Sequence, residues 1–302
     1  MTQASNAFGI LTLATPNDYL KAIGLALSLR VSNPGVPTAV ACSRKVMPLV
    51  KPYFDFVIEE KAGLRGFVHK IHLDEYSPFT ETVFFDSDVL VFRPLLPYVR
   101  SWGSGPYYAC GGYMASGVSS FGLDRAAVLK KIGKPKLVVI DGAGHALFRK
   151  PECEAVFNLA REVTRDYKNY AGDIGYSDED VMNIALTLLD LPPAPEADYF
   201  HSRYLSARPG TMEMDVTKGI CTFIGANPAE NGKRFHPYCL HFADNEAPVA
   251  YTQQLLRLFK MFDVPTQGLV SLGASDLYIR RIRNPLSRRV RWAKALIKQQ
   301  PA

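Results

Sequence analysis

Residues 83–92 read Val83-Phe84-Phe85-Asp86-Ser87-Asp88-Val89-Leu90-Val91-Phe92: an apolar strand, two carboxylates one residue apart, then a second apolar run. The two acidic side chains emerge at the strand end, where the backbone turns. Asp86 and Asp88 can therefore reach a single divalent cation together. Two carboxylates at the end of an apolar strand are costly unless a cation or hydrogen bonds compensate them. A cation held there can bridge two phosphates and neutralise a leaving diphosphate. The plainer reading is a turn in which Asp88 caps the next element.

What precedes this stretch gives it weight. Phe8–Ala14 is a near-continuous apolar run and reads as a buried first strand. Pro16-Asn17-Asp18 opens a helix whose apolar residues Leu20, Ile23, Leu27 and Val31 share one face, and Pro34-Gly35 ends it. Strands follow at 38–42, 54–58 and 82–85, with a helical stretch over 66–76. Strands alternating with helices indicate an α/β fold with a mixed, mostly parallel sheet flanked by helices. Ligands of such sheets sit at the carboxyl ends of the strands. Further on, 107–113 and 117–122 read as antiparallel strands and 137–140 as another. Helices are expected at 152–168 and 177–189. The proline-rich 191–195 breaks the last of these, and 225–237 reads as a loop.

Composition bounds the rest. The chain has 302 residues, 47% hydrophobic and 21% charged, which excludes a disordered or fibrous protein. No window of 18 uninterrupted apolar residues is present, and no basic residue precedes the first apolar run, so neither a spanning helix nor a secretory leader is expected. Five cysteines without a CxxC pair read as reduced thiols of a cytoplasmic protein. The net charge of +6 is uneven. Residues 277–302 hold eight basic and no acidic residues, leaving 27 basic against 29 acidic before them, a net of −2. A near-neutral body argues against nucleic acid as the partner. In the tail, basic residues interleave with Leu277, Tyr278, Ile282, Val290, Trp292, Leu296 and Ile297. This pattern predicts an amphipathic segment over 277–298 that lies peripherally on an anionic membrane surface. The other reading is a C-terminal helix docked on the body.

The stretch 84–91 resembles the metal-binding motif of GT-A glycosyltransferases, and most nearly that of family 8, which includes glycogenin and bacterial lipopolysaccharide galactosyltransferases. Two later segments support the resemblance. Tyr176-Ser177-Asp178-Glu179-Asp180 is similar to the acidic helix start that faces the donor sugar there, and His241-Phe242 to the late histidine motif. The three occur in the family's order. Two departures stand out: 243–249 lacks the Lys and the aromatic that often follow the late histidine, and Asp141-Gly142-Ala143-Gly144 replaces an Asn-x-Gly sequence.

The resemblance implies a GT-A nucleotide-diphospho-sugar transferase domain over residues 1–250 and a basic helical extension over 251–302. Asp86, Asp88 and His241 would hold Mn²⁺ or Mg²⁺, with His236 as the alternative third ligand. Two oxygens and an imidazole nitrogen favour Mn²⁺ over Ca²⁺. Ala14 and Thr15 would touch the nucleotide base and Tyr19 would stack on it. Arg65 or Lys70 would pair with the diphosphate or with Asp86. Ser87, Asp141, Gly142 and Gly144 would line the donor. Asp178 would bind sugar hydroxyls, and Glu179 would sit against the anomeric carbon of a retaining reaction. The expected donor is a UDP-sugar and the acceptor a lipid-linked or other saccharide. Two rivals remain. One is a haloacid-dehalogenase-like phosphohydrolase, with Asp173 and Asp178 as its later acids. The other is a non-catalytic membrane adaptor.

Overall fold

The computed structural model describes residues 7–140, 144–194, 200–228, 232–243 and 247–278. The strands are β1 Phe8–Ala14, β2 Thr38–Cys42, β3 Phe56–Glu59, β4 Glu81–Phe85, β5 Val89–Val91, β6 Tyr107–Tyr108, β7 Gly111–Met114, β8 Leu137–Ile140, β9 His145–Arg149, β10 His201–Arg203, β11 Glu213–Asp215, β12 Ile220–Ile224, β13 Arg234–Phe235 and β14 Cys239–His241. Six of them form the central sheet in the order β3-β2-β1-β4-β9-β6. The first four run parallel, and β9 is antiparallel to β4 and to β6. A small sheet β10-β14-β5 lies alongside.

The first helix, Tyr19–Ser32, starts where the sequence predicts. The Thr15 N–H donates to the Asp18 carboxylate and the Thr15 hydroxyl accepts from Asn17, in the manner of a capping box with Pro16 inside it. The helix is buried on nearly every side because helix Pro248–Met261 covers it. Gly24 permits that approach: a Cβ there would collide with Leu255. Tyr251, Leu255, Leu258, Leu269 and Leu272 share one core with Ala22, Ile23, Ala26 and Leu27. Helices Pro248–Met261 and Gln267–Tyr278 are thus packed onto the body, and residue 250 lies inside the first of them. On the opposite face of the sheet, helices Glu154–Arg165 and Asp178–Leu188 cover Phe84, Phe148 and Leu11.

Several expected elements differ. The span 117–122 is no strand: Gly117 and Gly122 both have positive φ, and only Val118 bridges to Asp124. The run 107–113 is divided between β6 and β7, which belong to different sheets. The helix expected at 152–168 breaks at Asp166 into Glu154–Arg165 and Tyr167–Ala171. The loop expected at 225–237 contains the short strand β13. The third strand lies one to two residues later than expected.

Candidate active site

The sheet is built outward in two directions from one gap. β2 and β3 lie on one side of β1 and β4 on the other. Between such strands a doubly wound sheet opens a crevice at the carboxyl ends. Ala14 closes β1 and Phe85 closes β4. The buried Thr12 hydroxyl donates to the Phe85 carbonyl at 2.8 Å and ties the two strand ends together.

Asp86 stands at this gap. Its N–H donates to the Gly144 carbonyl at 3.0 Å, and its own carbonyl accepts from Val89 at 3.2 Å, so 86–89 is a tight turn with Ser87 half-buried in it. β5 then runs antiparallel to β14, with Val89 opposite His241. The Phe242 N–H donates to the Asp88 carbonyl at 3.0 Å. This register sets His241 Nε2 3.0 Å from Asp88 Oδ1 and 3.7 Å from Asp86 Oδ2. Burial disfavours the charged imidazole, but the neighbouring Asp88 and Asp86 carboxylates outweigh it and hold His241 above its ordinary pKa. Burial likewise works against ionised Asp88. His241 prevails, and Asp88 lies well below the usual carboxylate range.

The ligating atoms of Asp86, Asp88 and His241 all lie within 4.8 Å of one another. Ligands facing each other across an Mg²⁺-sized ion are about 4.2 Å apart, so this donor set fits one divalent cation. His236 is elsewhere: its side chain is exposed and its carbonyl accepts from Arg93 at 2.8 Å.

Lys70 joins Asp86 to the acidic helix. Its Nζ lies 2.9 and 3.0 Å from the two oxygens of Asp86 and 3.3 Å from Asp178 Oδ2. Burial opposes the ammonium charge, but Asp86 and Asp178 overcome it and raise the pKa above the ordinary lysine value. Asp178 is itself buried, and burial followed by repulsion from Asp86 raises its pKa against the pull of Lys70. Arg65 is exposed and makes no ion pair among the described residues.

Helix Asp178–Leu188 is capped by Ser177, whose hydroxyl accepts from the Asp180 N–H at 3.1 Å. Asp180 points inward and accepts from Ser119 at 3.0 Å and from the Tyr167 hydroxyl at 3.4 Å. Two turns of the same helix hold β8: Asn183 accepts from the Ile140 N–H and Thr187 from the Val138 N–H. Glu179 is half-buried between its two neighbours. Thr15 is exposed beyond Ala14 with its N–H occupied by Asp18, and Tyr19 is half-buried one turn later. Gly144 is buried, whereas Asp141 and Gly142 lie outside the described residues. Asp173 is on the surface and pairs with Lys168 at 2.9 Å, so the second acid of a phosphohydrolase is not at this site.

Sequence reading passed over Lys21 and Asp276. Both are buried, and they pair at 3.0 Å. Their only signal was a lysine among the apolar residues Leu20, Ala22 and Ile23.

No family model and no curated protein matches this sequence. Solved structures do. The galactosyltransferase LgtC in complex with donor and acceptor sugar analogues superposes with a TM-score of 0.53 at 15% identity, over 82% of this chain and 95% of LgtC. The fold is GT-A. The bifunctional glycosyltransferase WbbM gives 0.54 at 13% identity, over 86% of this chain and 52% of WbbM. The glycosyltransferase GlyE of Streptococcus pneumoniae gives 0.52 at 11%, over 87% of this chain and 66% of GlyE. The likeness to LgtC agrees with the family 8 resemblance at the level of fold. All five cysteines are buried free thiols. Among the described residues, no helix is long and apolar enough to cross a membrane.

Proposed function

We propose that this protein is a metal-dependent, retaining glycosyltransferase that moves a sugar from a UDP-linked donor to a saccharide or lipid-linked acceptor. The observation that carries this reading is the convergence of Asp86, Asp88 and His241 at the gap between β1 and β4 in a GT-A fold. A divalent cation bound there supplies charge compensation to the leaving diphosphate. The chain's own residues do the rest. Ala14, Thr15 and Tyr19 border the base end of the crevice. Lys70 bridges the diphosphate end to the sugar end through Asp86 and Asp178. Asp178 orients sugar hydroxyls, and Glu179 stabilises positive charge at the anomeric carbon.

Calorimetric titration with UDP, then GDP, in Mn²⁺ and again in EDTA tests this. Metal-dependent binding of UDP, lost in Asp86→Ala/Asp88→Ala, supports the reading and chooses the base. A folded protein that binds neither nucleotide overturns it.

The acceptor end rests on the tail, which lies outside the described residues from 279 onward. We take 277–298 as the segment that holds the enzyme on an anionic membrane at the cytoplasmic face. Flotation of the full chain and of a chain ending at Tyr278, which retains Asp276, on phosphatidylserine vesicles decides the matter: equal flotation removes the membrane assignment.

A further inference from the structure

Two aromatic rings stand half in water beside Lys70, and none of the roles above uses them. Phe67 lies on the short helical turn Gly66–His72 that carries Lys70, and it is 51% exposed. Phe121 lies in the loop after β7 and is 41% exposed. Their ring centres are 6.5 Å apart with the planes at 77°, an edge-to-face pair. Apolar residues scattered singly over a surface are ordinary. Two large rings that meet in solvent from separate segments form a patch, and patches mark binding surfaces.

Short distances join this pair to the site. The Lys70 ammonium lies 5.5 Å from the centre of the Phe67 ring and 5.8 Å from that of Phe84. Phe84 belongs to the core, so Lys70 has one buried ring and one half-exposed ring beside it. The same ammonium is 2.9 Å from Asp86 and 3.3 Å from Asp178. Phe121 is held from the acidic helix. Its N–H donates to the Ser119 hydroxyl oxygen at 3.3 Å, and that hydroxyl donates to Asp180 at 3.0 Å. Gly117 and Gly122 turn the loop on either side with positive φ. Lys70 and Asp180 thus fix the two rings from opposite ends of the same carboxylate array.

The chemistry of the patch selects its occupant. One face of a pyranose ring presents C–H bonds with slightly positive hydrogens, and these suit the negative face of an aromatic ring. Two half-exposed rings offer far less area than a stable protein interface, which takes about 800 Å² from each partner. Asp178 is buried, whereas Phe67 is half in water, so an incoming ligand meets Phe67 before it meets Asp178. That order suits the sugar that arrives second, not the donor sugar held at Asp178. We propose that Phe67 and Phe121 form the platform on which a pyranose ring of the acceptor stacks. The inference rests on the glycosyltransferase reading and deepens it, because it makes the group next to the reacting centre a saccharide with an open C–H face.

Saturation-transfer NMR on the full chain tests this, with UDP and Mn²⁺ present and with maltose, cellobiose and lactose as probes. Wild type should bind at least one of the three through its C–H face. Phe67→Ala and Phe121→Ala should each weaken that binding about tenfold. Phe67→Leu stays apolar but loses the aromatic face, and should weaken it about fivefold. Phe67→Trp should bind at least as tightly as wild type. Neither ring belongs to the buried core, so these variants keep the fold. Val270→Ala removes a more exposed apolar side chain from helix Gln267–Tyr278 and should change nothing. UDP affinity in Mn²⁺, from calorimetry, should stay within about twofold throughout. The platform is wrong if wild type binds none of the probes, or if both alanine variants bind them as wild type does; UDP binding then still upholds the glycosyltransferase reading. A parallel loss of UDP binding in the alanine variants would make the rings part of the donor site and overturn the acceptor assignment. Saccharide binding that needs both rings, in a wild type that binds no nucleotide, would keep the platform as a sugar site and remove the transferase reading.

Discussion

Two short acidic segments, 86–88 and 178–180, meet at the candidate site through Lys70, and they distribute their carboxylates in opposite ways. At the strand end, Asp86 and Asp88 emerge on one side and converge with His241. At the helix start, successive residues turn through about 100°, so neighbours diverge. Asp178 faces Lys70, Glu179 is half-buried, and Asp180 turns into the core to Ser119 and Tyr167. The same residue type thus gathers candidate cation ligands where the chain turns between two strands. In helical backbone it sends one carboxylate to Lys70 and another into the core. Their electrostatics separate the same way: His241 pulls Asp88 down, whereas burial pushes Asp178 and Asp180 up.

This contrast breaks most visibly at the strand end. Asp86→Asn/Asp88→Asn should lower Mn²⁺ affinity by roughly a hundredfold or more, about 3 kcal/mol, in direct titration. A tenfold loss or less would mean that the ion is held elsewhere. The next largest effect belongs to Asp180. Asp180→Ala should cost about 2–3 kcal/mol of folding stability in denaturant melts, by orphaning Ser119 and Tyr167. Its Mn²⁺ affinity should stay within about twofold. Unchanged stability would place Asp180 in the site with its neighbours.

Asp178 sharpens the comparison from the other side. Asp178→Asn should alter stability by less than about 1 kcal/mol, because burial and Asp86 already disfavour its charge. Sugar transfer, measured as kcat/KM, should fall about tenfold or more. Full activity would remove it from the donor site. The smallest effect is a pair of opposed pH slopes in metal-free protein. Asp88 has a depressed pKa, so its contribution is present above its unfolded value of 3.8 and is lost as pH falls below it. Asp180 has a raised pKa, so its contribution is present below 3.8 and is lost as pH rises. In thermal melts, the gap between wild type and Asp88→Asn should shrink below pH 3.8. The gap to Asp180→Asn should narrow as pH rises above it. Slopes of the same sign would contradict the assignment.

What the sequence settled by itself is whatever depends on local periodicity. Phe8–Ala14, 83–85 and 89–92 announce strands by near-continuous apolar runs. The Asp-x-Asp spacing announces two carboxylates within reach of one cation, and the patterned run 177–189 announces a helix. Three strand–helix units before the carboxylates announce an α/β sheet open at its carboxyl ends. The places where local reading failed are also physical. Paired glycines at 117 and 122 turn a strand-like stretch, and an apolar run at 107–113 is shared between two sheets.

The tertiary structure decided every choice between equivalent candidates. His241 and His236 stand five residues apart in the sequence, and only the register of β14 against β5 puts the first beside Asp88. Lys70 and Arg65 are likewise five apart, yet only Lys70 meets Asp86 and Asp178. The Lys21–Asp276 pair joins the first helix to the last described one, a contact that no periodicity encodes. Side-chain spacing is a property of one element's backbone. The meeting of two elements is set by how their buried faces pack, and that depends on the whole core at once.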